Sequence, residues 1–350
     1  MTEQPSNRPP RRPRYQGTHP RHFQDKYKEQ QPDKYPDAIA HLITKGKTPA
    51  GTHRPILLSE IMRLLAPAPG QIAVDCTLGY GGHAAELLKA IQPDGTLIGV
   101  DADPIQLPKT ETRLRELGYP PESLIVRRMN YAGVLKQILS IAPEGADVLL
   151  ADLGLSSMQI DDPIRGFTFK ANGPLDMRLN PEHGQPASAF LTQLSAKELA
   201  KILEQNADEP HAVHLAQAIV AAQTRQPLAT TTELAAVVNE FLQRRPQDHA
   251  EKVKETTRRV FQALRIAVND EFGALDSFLR QLPSCLKPGG RAAILTFHSG
   301  EDRRVKRAFK EGLQAGLYTS VSEEVIRPSA EEQRSNPRSS SAKLRIAVRA

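Results

Sequence analysis

The segment Asp75-Cys76-Thr77-Leu78-Gly79-Tyr80-Gly81-Gly82-His83 decides the fold of this chain. It follows an apolar run at residues 72–74 and precedes a helical pattern at residues 84–88, which predicts a strand, a glycine-rich turn and a helix start. Glycines there let the backbone approach a ligand, and the free N–H groups of the helix N-terminus face it. A second apolar run ends on Asp101, and an acid about 20 residues after the glycines suits a ribose diol. The sequence therefore predicts a site for a cofactor that contains a nucleoside.

The composition is that of a globular protein of one or two domains. Of the 350 residues 25% are charged and 39% apolar, and no apolar run approaches the roughly 18 residues that span a bilayer. The N-terminal residues are polar and rich in Pro and Arg, unlike a secretory signal peptide. Because Cys76 and Cys285 are too few for a disulfide framework, we expect buried free thiols in a reducing cytoplasm. The ten histidines show no clear ligand cluster, so we expect no metal site.

The positive charge is concentrated in the N-terminal tail. The formal net charge is +6, and residues 1–50 contain 10 Lys and Arg against 5 Asp and Glu. This tail is rich in Pro, Arg, Gln and Lys and poor in apolar residues, a composition typical of disorder. The remaining chain is nearly neutral, so any contact that it makes with nucleic acid must use local basic patches.

Strand and helix patterns alternate from residue 56 to Asp152. This alternation predicts a parallel sheet with helices on both faces. Ligands bind at the carboxyl ends of such strands, where residues 79–83, Asp101, Tyr131 and Asp152 fall.

The pattern changes after Asp152, where only helical periodicity continues. A long helix is predicted over residues 257–282, followed by a turn at residues 287–290, a strand over residues 292–297 and a last strand over residues 344–348. We therefore divide the chain into a disordered basic tail (1–50), a sheet-forming domain (51–157 and 255–350) and an inserted helical domain for substrate recognition (158–254).

The glycine turn alone does not choose the cofactor, because Gly79-x-Gly81-x-x-Ala84 also fits a dinucleotide fingerprint. Three features favour S-adenosylmethionine over NAD. Asp75 precedes the glycines, and a cofactor without phosphate needs acceptors for its amino and hydroxyl groups. The fourth strand ends in Asp152-Leu153-Gly154-Leu155-Ser156-Ser157, a polar cluster where a methyl acceptor would sit. The segment Leu286-Lys287-Pro288-Gly289-Gly290-Arg291 resembles the turn before the fifth strand of class I methyltransferases.

Several ordered motifs resemble those of one enzyme family. From about His53 to the C-terminus the chain is similar to the bacterial methyltransferases that modify N4 of a cytosine in small-subunit (16S) ribosomal RNA, the methyltransferase H type. The resemblance implies a class I Rossmann-like methyltransferase sheet with an inserted all-helical domain. Its motifs are Asp75-x-Thr77-x-Gly79-x-Gly81-Gly82-His83, Asp152-Leu153-Gly154-x-Ser156-Ser157, Arg165-Gly166-Phe167-Thr168-Phe169, Gly173-Pro174-Leu175-Asp176-Met177-Arg178, Phe261-Gln262-Ala263-Leu264-Arg265-Ile266, Phe297-His298-Ser299, Glu301-Asp302-Arg303 and Asn336-Pro337-Arg338-Ser339.

The resemblance implies S-adenosyl-L-methionine as cofactor, with contacts at Gly81, Gly82, His83, Asp101, Tyr131, Asp152 and Gln159. The helix N-terminus suits the carboxylate of the methionine part, and Asp101 can accept both ribose hydroxyls. An aromatic face at Tyr131 can pack on adenine, although core packing is the alternative there. For Gln159, the alternative is a solvated loop residue.

The chemistry implied is direct displacement, in which the exocyclic amine attacks the methyl group and the enzyme supplies positioning and acceptors for the amine protons. The candidate catalytic residues are Asp152, Ser156 and Ser157. The two serines equally suit the capping of a turn. For His298, a structural role is favoured over contact with RNA. Residues 303–307 and 334–345 contain candidate phosphate contacts, although a basic helix face is equally typical of solvated surface.

The chain departs from the family pattern at residues 206–214 of the inserted domain and, outside that domain, at residues 255–259 and at Gly300. The expected partner is small-subunit ribosomal RNA or the assembled small subunit, without a membrane, for a monomer or homodimer. The alternatives are a divergent copy with another RNA target, a non-catalytic protein of ribosome assembly and, least favoured, an NAD-linked oxidoreductase.

Overall fold

The structure is a computed structural model that describes residues 55–244 and 250–350. The tail predicted to be disordered, residues 1–50, lies outside the described residues. Within the described ranges, no helix is long and apolar enough to cross a membrane.

Seven strands form one mixed sheet in the order β3-β2-β1-β4-β5-β7-β6. The first five strands in the chain pair in parallel, whereas β7 is antiparallel to both β5 and β6. The predicted sheet of class I methyltransferases is thereby confirmed. The strands are β1 (Ile72–Asp75), β2 (Thr96–Asp101), β3 (Leu124–Arg128), β4 (Ala146–Asp152), β5 (Leu286–Thr296), β6 (Tyr318–Val321) and β7 (Lys343–Arg349).

Helices cover both faces of the sheet and fill the region between β4 and β5. Helix α1 (Leu58–Leu65) precedes β1, and the helices that connect the first four strands are α2 (Gly82–Ala90), α3 (Leu107–Arg115) and α4 (Val134–Leu139). Those between β4 and β5 are α5 (Ser157–Asp161), α6 (Ala187–Thr192), α7 (Ala196–Ala207), α8 (Ala212–Arg225), α9 (Thr231–Gln243), α10 (Ala250–Val268) and α11 (Glu271–Cys285). The last two are α12 (Ser299–Gln314) and α13 (Ala330–Ser335).

Apolar residues alternate along the strands and so build one core on each face of the sheet. Val74 of β1 packs in the core with α4, α11 and α12, whereas the preceding Ala73 packs in the core with α1, α2 and α3. This period of two follows from strand geometry. A third core lies among the helices between β4 and β5 and includes Leu203, Leu215 and Leu234. The expected buried free thiols, Cys76 and Cys285, are confirmed.

Two predictions about the segment before β5 are wrong. The single helix predicted over residues 257–282 is two helices, because Asp270 has a left-handed backbone (φ 47°) between α10 and α11. The Asn269 side chain also holds this break, since it donates to the Met177 carbonyl and accepts from the Leu179 N–H. The turn predicted at residues 287–290 is an irregularity inside β5, which begins at Leu286.

Candidate active site

Three carboxylates lie side by side at one edge of the sheet. Asp101, Asp75 and Asp152 are the last residues of β2, β1 and β4, which are neighbouring strands in that order. The chain crosses from one half of the sheet to the other between β1 and β4, and open α/β sheets bind their ligands at this switch point. The sheet order therefore places the predicted acids together.

Asp101 is tied to the glycine-rich turn. Its Oδ2 accepts a hydrogen bond from the Gly79 N–H (2.7 Å), and its Oδ1 accepts one from the Asp103 N–H (2.8 Å). Burial raises the pKa of Asp101 above its ordinary value, against the opposing effect of these backbone donors. A carboxylate offers about four acceptor sites, so two remain for a ligand.

His83 orients Asp152. The His83 ring is buried, with Nδ1 3.4 Å from Asp152 Oδ2 and Nε2 3.0 Å from the Ile56 carbonyl oxygen. Burial opposes the charged ring, but the hydrogen bond and the charge of Asp152 raise the pKa of His83 above its ordinary value. A ring that donates from both nitrogens satisfies both acceptors, so the imidazolium fits this position.

Asp75 is buried behind these groups, and burial raises its pKa to about 7. Its Oδ1 accepts a hydrogen bond from the Thr77 N–H (3.1 Å), while Thr77 Oγ1 accepts the Asp152 N–H (2.6 Å). Thr77 thus joins the ends of β1 and β4, which fixes the separation of the two carboxylates.

The glycines of the turn are required by packing as well as by their backbone. Gly81 has a φ of 78°, and a Cβ there would lie 2.9 Å from Thr110 Cγ2. A Cβ on Gly82 would lie 2.7 Å from Pro55 Cγ. Among the residues that the structure describes, no side chain caps the N-terminus of α2, whose first turn includes His83. Its free N–H groups are therefore available to an anionic ligand group.

Tyr131 follows β3 in a short 3₁₀ helix and is only partly buried. Its ring makes an edge contact with Phe278 of α11, with 5.4 Å between ring centroids, and it packs against the core beside β3. Burial raises the pKa of its hydroxyl, which therefore stays protonated. Tyr131 therefore lies just after the end of β3, and its ring contacts Phe278 in the core.

Ser156 and Gln159 form a capping box at the start of α5. Ser156 Oγ accepts the Gln159 N–H (3.2 Å), and Gln159 Oε1 accepts the Ser156 N–H (2.9 Å). Gln159 Nε2 also donates to Asp103 Oδ2 (2.7 Å). Ser157 begins α5, but its side chain lies outside the described part of the structure. The capping geometry that was the alternative for Ser156 is thus present, and its hydroxyl hydrogen remains free to donate.

Asp103 is a site residue that the sequence reasoning missed. It is 1% exposed, and its Oδ2 accepts from Arg165 Nη1 (2.8 Å), the first residue of a quoted motif. Arg165 also donates to the Leu179 carbonyl oxygen (2.8 Å). The signal in the sequence was weak, because the two partners of this ion pair are far apart in the chain.

A cavity of about 470 Å³ opens near the end of β2, where Ala102, the residue after Asp101, is part of its lining. Its walls include Ala102 after β2, Asn130 after β3, and Asn180 and Asn269 from the helical region. The cavity therefore lies one residue along the chain from the acid predicted to bind a ribose.

A partly buried ionic cluster lies near Tyr131. Glu271, His298 and Glu301 each place a ligand atom within 4.8 Å of the others. Arg265, however, makes two hydrogen bonds of 2.8 Å to Glu271. His298 Nδ1 accepts the Glu301 N–H (3.4 Å) at the start of α12, and Glu301 Oε2 accepts the Phe297 N–H (2.8 Å). With this internal cation and capping box, the cluster forms a structural ion-pair network and His298 has the favoured structural role.

The basic residues of the C-terminal region differ in their exposure and in their ion pairs. Arg345 is 5% exposed and pairs with Asp302 (2.7 Å), so the prediction of a phosphate contact is wrong for this residue. Arg303 is exposed, but both terminal nitrogens pair with Asp208 (2.9 and 3.0 Å). Lys306 and Arg307 are exposed and form no ion pair within the described ranges.

The chain is similar in sequence to known proteins over nearly its whole length. A model of the MraW methylase family matches residues 50–350. The chain is 49% identical to the ribosomal RNA small subunit methyltransferase H 1 of Lachnoclostridium phytofermentans, over 100% of this chain and 97% of the relative. It is 48% identical to the ribosomal RNA small subunit methyltransferase H 2 of Alkaliphilus metalliredigens, over 97% of each chain. The solved S-adenosylmethionine-dependent O-methyltransferase of Thermotoga maritima is 11% identical, with a TM-score of 0.39 over 89% of this chain and 71% of that chain.

Proposed function

Because the chain belongs to the MraW methylase family, we propose that it transfers a methyl group from S-adenosylmethionine to N4 of a cytosine in small-subunit ribosomal RNA. The observation that carries the proposal is the row of Asp101, Asp75 and Asp152 at adjoining strand ends, beside a helix N-terminus without a side-chain cap. This edge offers acceptors to hydroxyl and amino groups and donors to a carboxylate.

Each part of the cofactor has a suitable group of residues at these strand ends. The N–H groups of Gly82 and His83 at the start of α2 suit the methionine carboxylate, and Asp101 has acceptor sites left for the ribose hydroxyls. The cavity near the end of β2 suits the adenine, with Tyr131 at the next strand end. Gln159 supports the site indirectly, since its amide holds Asp103. When bound, the cofactor supplies an electrophilic methyl group.

The residues around Asp152 would position the attacking amine. The Asp152 side chain is partly exposed and is oriented by His83, so a carboxylate oxygen can accept an amine hydrogen. Ser156 Oγ already accepts a backbone N–H, which leaves its own hydrogen for an acceptor on the base. Ser157 remains a candidate by its position next to Ser156. Transfer of the methyl group from the cofactor to the amine would release one proton from the amine, which Asp152 would accept and pass to solvent.

The helical region between β4 and β5 would recognise the rest of the substrate, with residues 158–254 as an inserted domain. The partner is small-subunit ribosomal RNA, free or assembled, and a cytoplasmic enzyme acting as monomer or homodimer is consistent with it. The names of the relatives favour the methyltransferase over a divergent copy with another RNA target, a non-catalytic assembly protein or an NAD-linked oxidoreductase.

The test is methyl transfer from labelled S-adenosylmethionine to small ribosomal subunits that lack their native cytosine modification, with mass spectrometry of the nucleosides. We expect N4-methylcytidine from the native chain and at least a 100-fold slower rate for Asp152→Asn, the size of effect seen when one preorganised group at a reacting centre is removed. The matched control is Glu144→Gln, an exposed acid before β4 at the opposite edge of the sheet. Transfer to another atom or nucleoside, or none while the cofactor binds, contradicts the proposal.

A further inference from the structure

Arg338 is held in place and yet has a donor to spare. It lies in a 3₁₀ helix (Pro337–Ser341) between α13 and β7, and its Nη2 is 2.7 Å from Asp161 Oδ2. Its Nη1 is buried and has no hydrogen-bond acceptor among the residues that the structure describes. Of the described arginines, Arg338 alone combines an ion pair with a buried nitrogen that lacks an acceptor. A buried charged donor without an acceptor is costly, so a ligand oxygen is expected there.

Two connections place Arg338 beside the candidate active site. Its partner Asp161 ends α5, the short helix that Ser156 caps directly after β4. The segment that carries Arg338 is also anchored near His83, because Glu332 Oε1 accepts the Leu57 N–H (2.8 Å) and the neighbouring Ile56 carbonyl binds the His83 ring.

The spare donor fits an anion from outside the chain. A guanidinium presents its donors in a fixed fork, which matches phosphate or carboxylate oxygens. The cofactor carboxylate already has a place at the uncapped N-terminus of α2. The other anion at this site is the phosphate backbone of the RNA. Resting on the proposed function, we propose that Arg338, oriented by Asp161, binds a phosphate of the substrate RNA close to the nucleotide that enters the active site.

Helix α12 carries further exposed cations. Asp302 in the first turn of α12 pairs with Lys343 and Arg345 of β7, so α12 is fixed against the strand that follows Arg338. Farther along α12, Lys306 and Arg307 are exposed without ion pairs in the described ranges. Paired cations such as Arg345 cannot serve a ligand without losing their partner, whereas Arg338 gains an acceptor for a nitrogen that has none.

The test compares Arg338→Ala and Arg338→Lys with the native chain. The measurements are equilibrium binding of small ribosomal subunits over a range of salt, the KM for those subunits and the Kd for S-adenosylmethionine by calorimetry. We expect Arg338→Ala to weaken subunit binding and raise KM about tenfold, and to lower the slope of log affinity against log salt by about 1. Arg338→Lys keeps the charge but lacks the forked donors of the guanidinium, so we expect a smaller loss of subunit affinity. The cofactor Kd stays within about twofold for both.

Arg115→Ala is the matched control, because Arg115 also pairs with a carboxylate, Glu111, but lies on α3. Subunit affinity unchanged by Arg338→Ala, or a weakened cofactor Kd in its place, overturns the proposal. If Arg338→Ala does not fold, the subunit affinities of Arg338→Lys and Asp161→Asn decide: the proposal expects both to fall, because the first loses the fork and the second its orientation, and unchanged affinity in both overturns it. The binding assay needs no turnover, so it remains decisive for Arg338 even if the native chain transfers no methyl group.

Discussion

The carboxyl ends of β2, β1 and β4, which carry the three acids, and the helical region between β4 and β5 are stabilised by different interactions. At the edge, polar groups hold one another: Asp101 binds the Gly79 N–H, and Thr77 joins Asp75 to Asp152. The helical region has its own apolar core, and side chains such as Ser195 and Thr230 cap its helices. Val213, where the sequence departs from the family pattern, is 58% exposed on α8. The comparison teaches that the helical surface can change without disturbing the acids.

Two ion pairs with opposite environments connect the regions. Arg165 and Asp103 are both buried next to the site, whereas Arg303 and Asp208 are both exposed. Buried pairs are costly to break and exposed pairs contribute little. The connection between the regions should therefore depend on the first pair.

The largest effect is expected from Arg165→Met, which leaves Asp103 buried without its cation. We expect the free energy of unfolding to fall by about 3–5 kcal/mol, measured by urea titration. Arg115→Met, which breaks an exposed pair, is the control and should cost less than about 1 kcal/mol. Equal losses for the two variants would mean that the buried pair does not join the two regions.

The second largest effect is expected at the strand ends, from a change of Asp101. Asp101→Ala removes the acceptor proposed for the ribose hydroxyls, and the loss of two charge-assisted hydrogen bonds of about 1.5 kcal/mol each corresponds to a Kd for S-adenosylmethionine raised about 100-fold. Calorimetry measures it, with Glu144→Ala at the opposite edge as control. An unchanged Kd for Asp101→Ala would contradict the proposal that this acid binds the ribose hydroxyls.

A pH effect separates Asp75 from the other acids. Burial raises its pKa from 3.8 in the unfolded chain to about 7 in the folded protein, so the folded state holds its proton more tightly. This contribution to stability is complete below about pH 4, falls as the pH rises and is lost above about pH 7. We expect Asp75→Asn, which cannot ionise, to gain a few degrees of Tm relative to the native chain between pH 5 and pH 8.

The control for this pH effect is Asp94→Asn, at an exposed residue in the turn before β2. Its Tm should follow that of the native chain at both pH values. A Tm difference between Asp75→Asn and the native chain that does not vary with pH would contradict the raised pKa of Asp75.

The smallest effect is expected from Arg303→Ala, which removes the exposed pair with Asp208. The free energy of unfolding should fall by less than about 1 kcal/mol, because both side chains are in water. Urea titration at low and high salt measures it. A loss as large as that of Arg165→Met would show that the exposed pair also holds the helical region.

The strands and the acids at their carboxyl ends were predictable because the sequence patterns that specify them are local. The apolar runs before Asp75, Asp101 and Asp152 specify strand ends within a few residues, and the glycine turn sits between a strand and a helix. The break at Asp270 was not predictable, because Asn269 is held by Met177 and Leu179 from a distant segment. The same holds for Arg345, whose basic character gave no sign of its burial against Asp302.

By itself, the sequence determined the parallel strands, the glycine turn and the acids at the strand ends, because periodicity and turn chemistry act between neighbours in the chain. Only the tertiary structure decided which charged groups remain available. Asp101 keeps acceptor sites while Asp103 is enclosed by Arg165, and Arg338 keeps a donor while Arg345 is enclosed by Asp302. The physical reason is that burial and pairing depend on side chains that are distant in sequence, and desolvation makes these partners decisive.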